Sequence, residues 1–345
     1  MDIRKLGEFG LINHLTGNIK LSQPSTLKGI GDDAAILRYG GATLAVTTDM
    51  LVEGINFDLT YVPLQHLGYK AAIAGFSDLY AMNATPRQLL VSIAVSAKFS
   101  VEALELLYKG LTLACERHRV DLVGGDTAPS VTGLVITVTA IGEVDPEKIT
   151  YRHTAQKGDL VCMSGDLGAA YMGLQVLERE KKLFEENPTL QPQLDDYGYV
   201  VGRQLKPEAR QDIVNFMAYV NLLPTSMIDI SDGLSSDLLH ICTASGVGCE
   251  IHHHKIPIVD ETATVAEEFF MEPLIAALNG GDDFELLFTI PVTDYDKVVG
   301  NENISIIGYV TGKEDGCQLM TGNGEKIEIR TIRDSSGDKQ RSLDG

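Results

Sequence analysis

The sequence predicts an α/β (α+β layered) protein in two domains, and three observations carry that expectation. Short apolar runs with strand character alternate with longer segments whose apolar residues recur at helical spacing, the pattern of layered sheets and helices. A chain of 345 residues is long for one hydrophobic core, so two domains are expected. Acidic, glycine-flanked stretches recur where apolar runs stop, and in α/β sheets ligands collect where strands end.

The first element is an amphipathic helix over residues 3–15, with Ile3, Leu6, Leu11, Ile12 and Leu15 at helical spacing, read as packing. Residues 29–49 organise the rest of the chain: Gly-Ile-Gly-Asp-Asp-Ala-Ala, a polar break, then the apolar run 43–46 ending in Thr47, Thr48 and Asp49. This puts Asp32, Asp33 and Asp49 around two turns, beside glycine backbone that other groups can approach closely. Mg²⁺ takes oxygen ligands and is usually held by one or two carboxylates plus phosphate oxygens, so the stretch suits a nucleotide-metal site. Gly and Asp are also common turn formers, and a solvated loop before an edge strand would read the same way. Repetition of the pattern favours the site.

A helix is expected next over 65–82, with Leu67, Ala71, Ala74 and Leu79 among its apolar positions and Asp78 near its end. Residues 89–97 read as a strand and 101–117 as a helix with Leu104, Leu107 and Leu111 on one face. The run 120–123 then leads into Gly124, Gly125, Asp126 and Thr127, and 134–144 is another strand. The polar, proline-bearing segment 145–158 is the expected boundary between an N-terminal domain (1–145) and a C-terminal domain (155–333).

In the second half the pattern gives a strand over 160–163, a helix over 168–182, a loop near 185–196, and a helix over 207–220 with Pro207 in its first turn. A strand then runs into Asp229, and a helix starts from Ser231 or Asp232. Both are good N-caps, and capping is compatible with phosphate binding at the same helix end. His252, His253 and His254 alternate sides if they lie in a strand, so they read as an ordinary surface strand and not as a metal site. Gly280, Gly281, Asp282 and Asp283 precede a buried strand over 284–290, a short helix over 292–299 and a strand over 304–310. Residues 334–345 are polar and expected to be disordered.

The 48 acidic residues outweigh 28 basic ones, for a net charge of −20. That balance disfavours nucleic acid, while a nucleotide can still bind if cations bridge the two negative surfaces. No apolar run reaches the length of a membrane span. The five cysteines, at 115, 162, 242, 249 and 317, form no C-x-x-C pair, which suits a reducing compartment. The first residues lack the apolar core of a signal peptide, so a cytoplasmic protein is expected. Neither a P-loop nor a G-x-S-x-G elbow is present.

Taken in order, Gly-Ile-Gly-Asp-Asp at 29–33, Thr-Thr-Asp-Met-Leu-Val-Glu-Gly at 47–54, Gly-Tyr-Lys-Ala at 68–71, Ser-Asp-Leu at 77–79, Gly-Gly-Asp-Thr at 124–127, Asp-Ile-Ser-Asp-Gly-Leu at 229–234 and Gly-Gly-Asp-Asp-Phe-Glu-Leu at 280–286 resemble the thiamine-monophosphate kinases. The resemblance runs collinearly over about residues 1–315. That family is related to aminoimidazole ribonucleotide synthetase, selenophosphate synthetase and a hydrogenase maturation factor. The resemblance implies a two-domain architecture like that synthetase's, with mixed sheets covered by helices and an N-terminal domain that binds ATP and Mg²⁺ and dimerises. It further implies a homodimer that transfers the γ-phosphoryl of ATP onto thiamine monophosphate, giving thiamine diphosphate.

Carried over position by position, Asp33, Thr47, Thr48, Asp49, Asp78, Asp126, Asp229 and Asp232 match residues that hold several Mg²⁺ ions. Gly125, Asp126, Arg152 and Ser231 match ATP contacts, and Asn56 and Asp282 match substrate contacts. The last two depart from the family's histidine and glutamate while keeping hydrogen-bonding capacity. The family also tends to finish with a glycine-aromatic segment that packs on substrate, whereas no aromatic residue follows Tyr309. Either another ring forms that wall or the pocket is incomplete. Two rival readings keep the fold: an ATP-dependent synthetase with another acceptor, disfavoured for selenium chemistry because the first cysteine is Cys115, and a non-catalytic nucleotide-binding relative. No general base is expected, since a phosphate monoester with a second pKa of about 6 is already a largely ionised nucleophile at neutral pH.

Overall fold

The structure, a computed structural model, describes residues 10–330 except Asn13. Residues 10–12 and 14–16 are helical, at the end of the helix expected over 3–15. The rest of that helix and the expected tail over 334–345 lie outside the described residues.

The first half builds a six-stranded mixed sheet from β1 (Thr26–Lys28), β2 (Ala35–Tyr39), β3 (Ala42–Val52), β4 (Thr85–Val95), β5 (Asp121–Pro129) and β6 (Val135–Glu143), in the order β1-β2-β3-β6-β4-β5. All neighbours are antiparallel except β4 and β5, which are parallel. Alternation along β3 turns Thr43, Ala45, Thr47 and Leu51 inward and leaves Thr48 and Met50 exposed. On the inner face lies α1 (Leu64–Ala81), backed by α2 (Val101–His118). Most of α1 is buried because the sheet, α2 and the second half cover it from three sides. The two helices cross where Gly68 meets the Leu107 carbonyl and Gly110 meets that of Gln65; a Cβ at these glycines would stand 2.0 and 1.9 Å from those oxygens.

The second half forms a seven-stranded sheet from β7 (Leu160–Ser164), β8 (Ser226–Ile230), β9 (Gly248–His252), β10 (Glu285–Ile290), β11 (Ile304–Thr311), β12 (Cys317–Met320) and β13 (Lys326–Glu328), in the order β13-β12-β9-β11-β7-β10-β8. Only β9 and β12 pair in parallel. Its helices include α3 (Ala169–Glu186), α4 (Gly198–Leu205), α5 (Gln211–Tyr219) and α6 (Leu234–Ser245), followed by the shorter α7 (Asp260–Glu268) and α8 (Pro273–Asn279). The halves share a core: Leu177, Leu205, Ala209 and Phe284 pack into the cluster built around α1. The expected α/β class with mixed, helix-covered sheets is what the chain adopts.

Several elements differ from the sequence reading. The helix expected over 207–220 starts at Gln211, and Pro207 lies in the preceding loop. Arg210 ends that loop with its guanidinium bound to buried Glu285 and to Asp212, so tertiary ion pairs set the start and not the proline. The cap position of the helix after Asp229 is Gly233, at φ 103°, and not Ser231 or Asp232. The Asp232 N–H donates to Asp237 at 3.2 Å. The histidine segment is not a surface strand. β9 lies between β11 and β12 with Ile251 buried, and His253–Lys255 leave it as a 3₁₀ turn. Finally, Asp49 and Asp126 lie inside strands and not at their ends, because β3 and β5 continue pairing beyond them.

Candidate functional site

Two clefts open between the halves and share a wall. The larger, about 960 Å³, is lined by Asp49, Asn56, Phe57, Tyr61, Lys70 and Asp282 among others. The smaller, about 700 Å³, is lined by Asp33, Thr47, Asp78, Arg152, Asp229 and Asp237 among others. Ser231 and Asp232 line both.

The shared wall is acidic. Asp33 comes from the turn before β2, Asp78 from the last turn of α1 and Asp229 from β8, and each offers a carboxylate oxygen within 4.8 Å of the other two. Asp49 joins them on the inner side of β3, where Gly75 of α1 leaves room: a Cβ there would lie 3.6 Å from Asp49 Oδ2. Ser77 Oγ donates to Asp229 Oδ2 at 2.7 Å and Thr47 Oγ1 donates to Asp78 Oδ2. Burial, with repulsion from neighbouring carboxylates, holds the Asp33, Asp78 and Asp229 carboxyls above the usual carboxylate range; for Asp229 that neighbour is Asp232. Burial, with Asp229 nearby, pushes Asp49 up to about 7.

Asp33 Oδ2 and Asp49 Oδ2 are buried without a hydrogen-bond partner. Buried carboxylates that face one another with orphaned oxygens are costly unless a cation neutralises them. An all-oxygen donor set of this kind fits a hard divalent ion such as Mg²⁺.

Arg152 is the cation nearest this wall. Its guanidinium donates to Asp33 Oδ1, its Nε lies 3.6 Å from Asp32 Oδ1, and its backbone N–H donates to the same oxygen at 3.2 Å. Asp32, with no exposed side-chain surface, also faces His153 at 3.4 Å and Lys28 at 3.7 Å. It therefore anchors the basic segment, while its neighbour Asp33 faces the cleft. Burial works against the Arg152 charge, but Asp33 and Asp32 outweigh it and hold the guanidinium firmly protonated.

In the larger cleft Asp282 adopts φ 61° and pairs with Lys70 Nζ at 2.9 Å; Lys70 also donates to the Gln204 carbonyl at 3.1 Å. Asn56 Oδ1 accepts from the Val52 N–H at 3.0 Å at the cleft edge. Phe57, Phe284 and Tyr61 supply aromatic surface, with the Tyr61 hydroxyl donating to Glu178 at 2.6 Å. Rings are thus present without any contribution from the C-terminal segment.

Three residues matched by the resemblance do not join the acidic wall within one chain. Thr48 borders the smaller cleft, but its hydroxyl turns to the opposite face of β3 and bonds to Val138 O and Thr139 Oγ1. Asp126 is exposed on edge strand β5. Its register runs through Ser92 and Thr137 to Met50, on Thr48's face, so three strand spacings of about 4.8 Å each separate it from β3. Gly125 has a packing reason of its own, since a Cβ there would stand 1.7 Å from the Val91 carbonyl.

Sequence reasoning left Lys70, Asp237 and His240 without roles. A lysine on the apolar face of a helix was the available signal for Lys70. Asp237 and His240 lie one and two turns into α6 and gather with Asp232 within 4.8 Å. Their helical spacing was readable; their meeting with Asp232 depends on how α6 leaves β8.

The family described as "AIR synthase related protein, N-terminal domain" matches residues 31–144. Fold and site thus define a chain of the AIR synthase related class, with an acidic, oxygen-rich cleft. The thiamine-monophosphate kinase of Aquifex aeolicus (strain VF5) is 34% identical over 328 residues, spanning 95% of this chain and 98% of the relative. That of Bacillus subtilis (strain 168) is 33% identical over 89% of this chain and 92% of its own length. A solved structure, AaThiL complexed with AMPPCP and TMP, superposes with a TM-score of 0.79 at 32% identity, covering 95% of this chain and 97% of that one. The chain belongs to the thiamine-monophosphate kinase family.

Proposed function

We infer that this chain is an ATP-dependent kinase that phosphorylates thiamine monophosphate to thiamine diphosphate. The carrying observation is the buried carboxylate wall where the two clefts meet. A nucleotide in the smaller cleft and a phosphate monoester in the larger one would bring their phosphates together at that wall. The relative's structure with AMPPCP and TMP supports two ligands of this chemistry.

The acceptor needs no base, because its phosphate is already ionised at neutral pH. What opposes transfer is repulsion: two unit charges 4 Å apart cost about 4 kcal/mol at an effective dielectric of 20. Asp33, Asp49, Asp78, Asp229 and Asp232 would hold Mg²⁺, which would supply charge neutralisation to the phosphates. Arg152, fixed by Asp32 and Asp33, presents its fork to the phosphates beside Ser231. Thr47 orients Asp78. Asn56, Asp282 and Lys70 line the acceptor's cleft, and Tyr61, Phe57 and Phe284 offer it aromatic surface.

We also propose that the enzyme works as a cytoplasmic homodimer. Exposed apolar side chains on or beside the open face of the first sheet, Met50, Leu122 and Val123, support the dimer, and five free cysteines support a reducing compartment. Thr48, Gly125 and Asp126 lie on that half of the molecule, and their assigned metal and ATP roles rest on the resemblance.

Incubating the purified chain with ATP, Mg²⁺ and thiamine monophosphate tests the reading. Stoichiometric ADP and thiamine diphosphate are expected by chromatography. ATP hydrolysis without thiamine diphosphate, or no turnover, would overturn it.

A further inference from the structure

Three of the chain's five cysteines meet at the end of α6 away from the acidic wall. Cys242 lies near the end of α6, Cys249 in β9 and Cys317 in β12, and their Sγ atoms all lie within 4.8 Å of one another. The fold makes the meeting. β12 runs parallel to β9 with Cys317 in register with Cys249, and the turn after α6, closed by Val247 N–H donating to the Cys242 carbonyl at 3.0 Å, brings Cys242 back over the strand.

Cysteine also packs as a small apolar side chain, and Cys115 and Cys162 do so in separate cores. The trio also lies in a core, that of the second half, but its three sulfurs converge. Cys242 and Cys249 are buried, but Cys317 is half-buried. A cavity of about 430 Å³ opens on the other face of β9, at Glu250, Tyr309, Gln318 and Lys326, so the half-buried Cys317 is the trio's route to solvent. Lys326 is paired with Glu250 at 2.8 Å, so the nearby cation is already engaged.

We propose that Cys242, Cys249 and Cys317 form a binding site for a thiophilic divalent cation of the zinc type. A metal–sulfur bond of about 2.3 Å puts the sulfurs of a tetrahedral centre about 3.8 Å apart, so the trio needs to contract by about 1 Å at most. Each thiol gives up its proton to solvent as it ligates, and water supplies the fourth ligand beside Cys317, the half-buried member of the trio. Donor softness separates the two sites: Mg²⁺ selects the carboxylates and a zinc-type ion the thiolates. The site would pin α6 to the sheet, and α6 carries Asp237 and His240 at its other end.

The test uses the full-length chain, reduced with a phosphine, stripped of metal and kept in excess Mg²⁺, then titrated with Co²⁺. Thiolate-to-cobalt charge-transfer absorption saturating at one equivalent, and displaced by Zn²⁺, is expected. Cys317→Ser should abolish the band and Cys115→Ala should retain it. No charge-transfer band, or one that survives Cys317→Ser, would sink the proposal. A second measurement stands apart from any folding defect in the variant: Zn²⁺ should protect Cys317, the half-buried thiol of the trio, from a thiol reagent in the native chain. Unchanged reactivity with Zn²⁺, or spontaneous conversion of two of the three to a disulfide without metal uptake, would overturn it as well.

Discussion

Asp49 shows how one residue can trade stability for chemistry. Its carboxyl is buried, faces Asp229 and leaves Oδ2 without a partner. Without metal the group strains the fold; with metal it becomes a ligand. Asp49→Asn should therefore lower kcat by at least about a hundredfold while raising the metal-free melting temperature by a few degrees. Mg²⁺ should raise the melting temperature of the native chain more than that of the variant, and calorimetry with and without Mg²⁺ reads both effects. A variant with native turnover at saturating Mg²⁺ would remove Asp49 from the site. Tyr61 belongs to the other cleft. Thiamine carries a cationic ring, and an aromatic face beside it contributes about 1 kcal/mol. Tyr61→Ala should raise KM for thiamine monophosphate roughly fivefold and leave KM for ATP unchanged; equal KM values for native and variant would leave the aromatic wall unassigned. His118 sets a pH dependence remote from either cleft. Its Nδ1 lies 2.9 Å from the Tyr80 hydroxyl and its Nε2 is buried without a partner. Burial, with Arg117 adding to it, lowers its pKa to about 4. A depressed histidine contributes stability that is fully present above pH 6.5 and is lost as pH falls from 6.5 towards 4. Allowing for partial solvent screening, the loss is about 2 kcal/mol. His118→Gln should flatten that part of the stability–pH curve, measured by denaturant midpoints.

At the scale of elements, the site depends on how closely α1 can approach its neighbours. Gly68 and Gly110 let α1 and α2 touch backbone to backbone, and α1 carries Lys70 and Asp78 into the clefts and Ser77 against Asp229. A methyl at Gly68 would collide with the Leu107 carbonyl, a fixed group that cannot swing aside. Gly68→Ala should cost about 3 kcal/mol in urea unfolding and also lower kcat, because the helix that moves carries a metal-facing carboxylate. Full stability and full activity in that variant would mean the crossing has slack. The same helices were legible in the sequence, since a helix of this length repeats its apolar period several times. Short elements were not. β2 spans five residues, and its signal was the Gly40–Gly41 turn after it, not its own pattern. α4 has eight residues and was hidden before Pro207, while β12 and β13 carry too few residues to show a period. The aspartates of the acidic wall were legible as repeated motifs. Their side-chain directions were only half so: Thr47, Thr48 and Asp49 alternate along a strand, which by itself turns Thr48 away from its neighbours. The placement of Asp126 three strands away needed the strand order, which no local pattern encodes.

For the whole molecule, the question is how a chain of net charge −20 holds a polyanion. Arg152 is the guanidinium at the acidic wall, and it is already engaged by Asp32 and Asp33. Lys70 is likewise engaged by Asp282. The protein's own cations are thus largely committed before a nucleotide arrives, and an incoming triphosphate would meet carboxylates unless metal accompanies it. ATP affinity measured by calorimetry should therefore fall by at least about a hundredfold when Mg²⁺ is chelated, since only two phosphate–carboxylate charge pairs left uncompensated at 4 Å already exceed the roughly 2.7 kcal/mol that factor represents. Mutants give the sign. Neutralising Asp33 or Asp78 as asparagine should weaken ATP binding in the presence of Mg²⁺, because a ligand is lost. In chelator the same changes should leave binding unchanged or improve it, because a repelling charge is lost. Equal losses in both conditions would mean that these aspartates shape the cleft without holding metal. The inversion between the two conditions is what separates a metal-bridged site from one built on lysines and backbone amides, whose mutants would lose affinity with or without Mg²⁺.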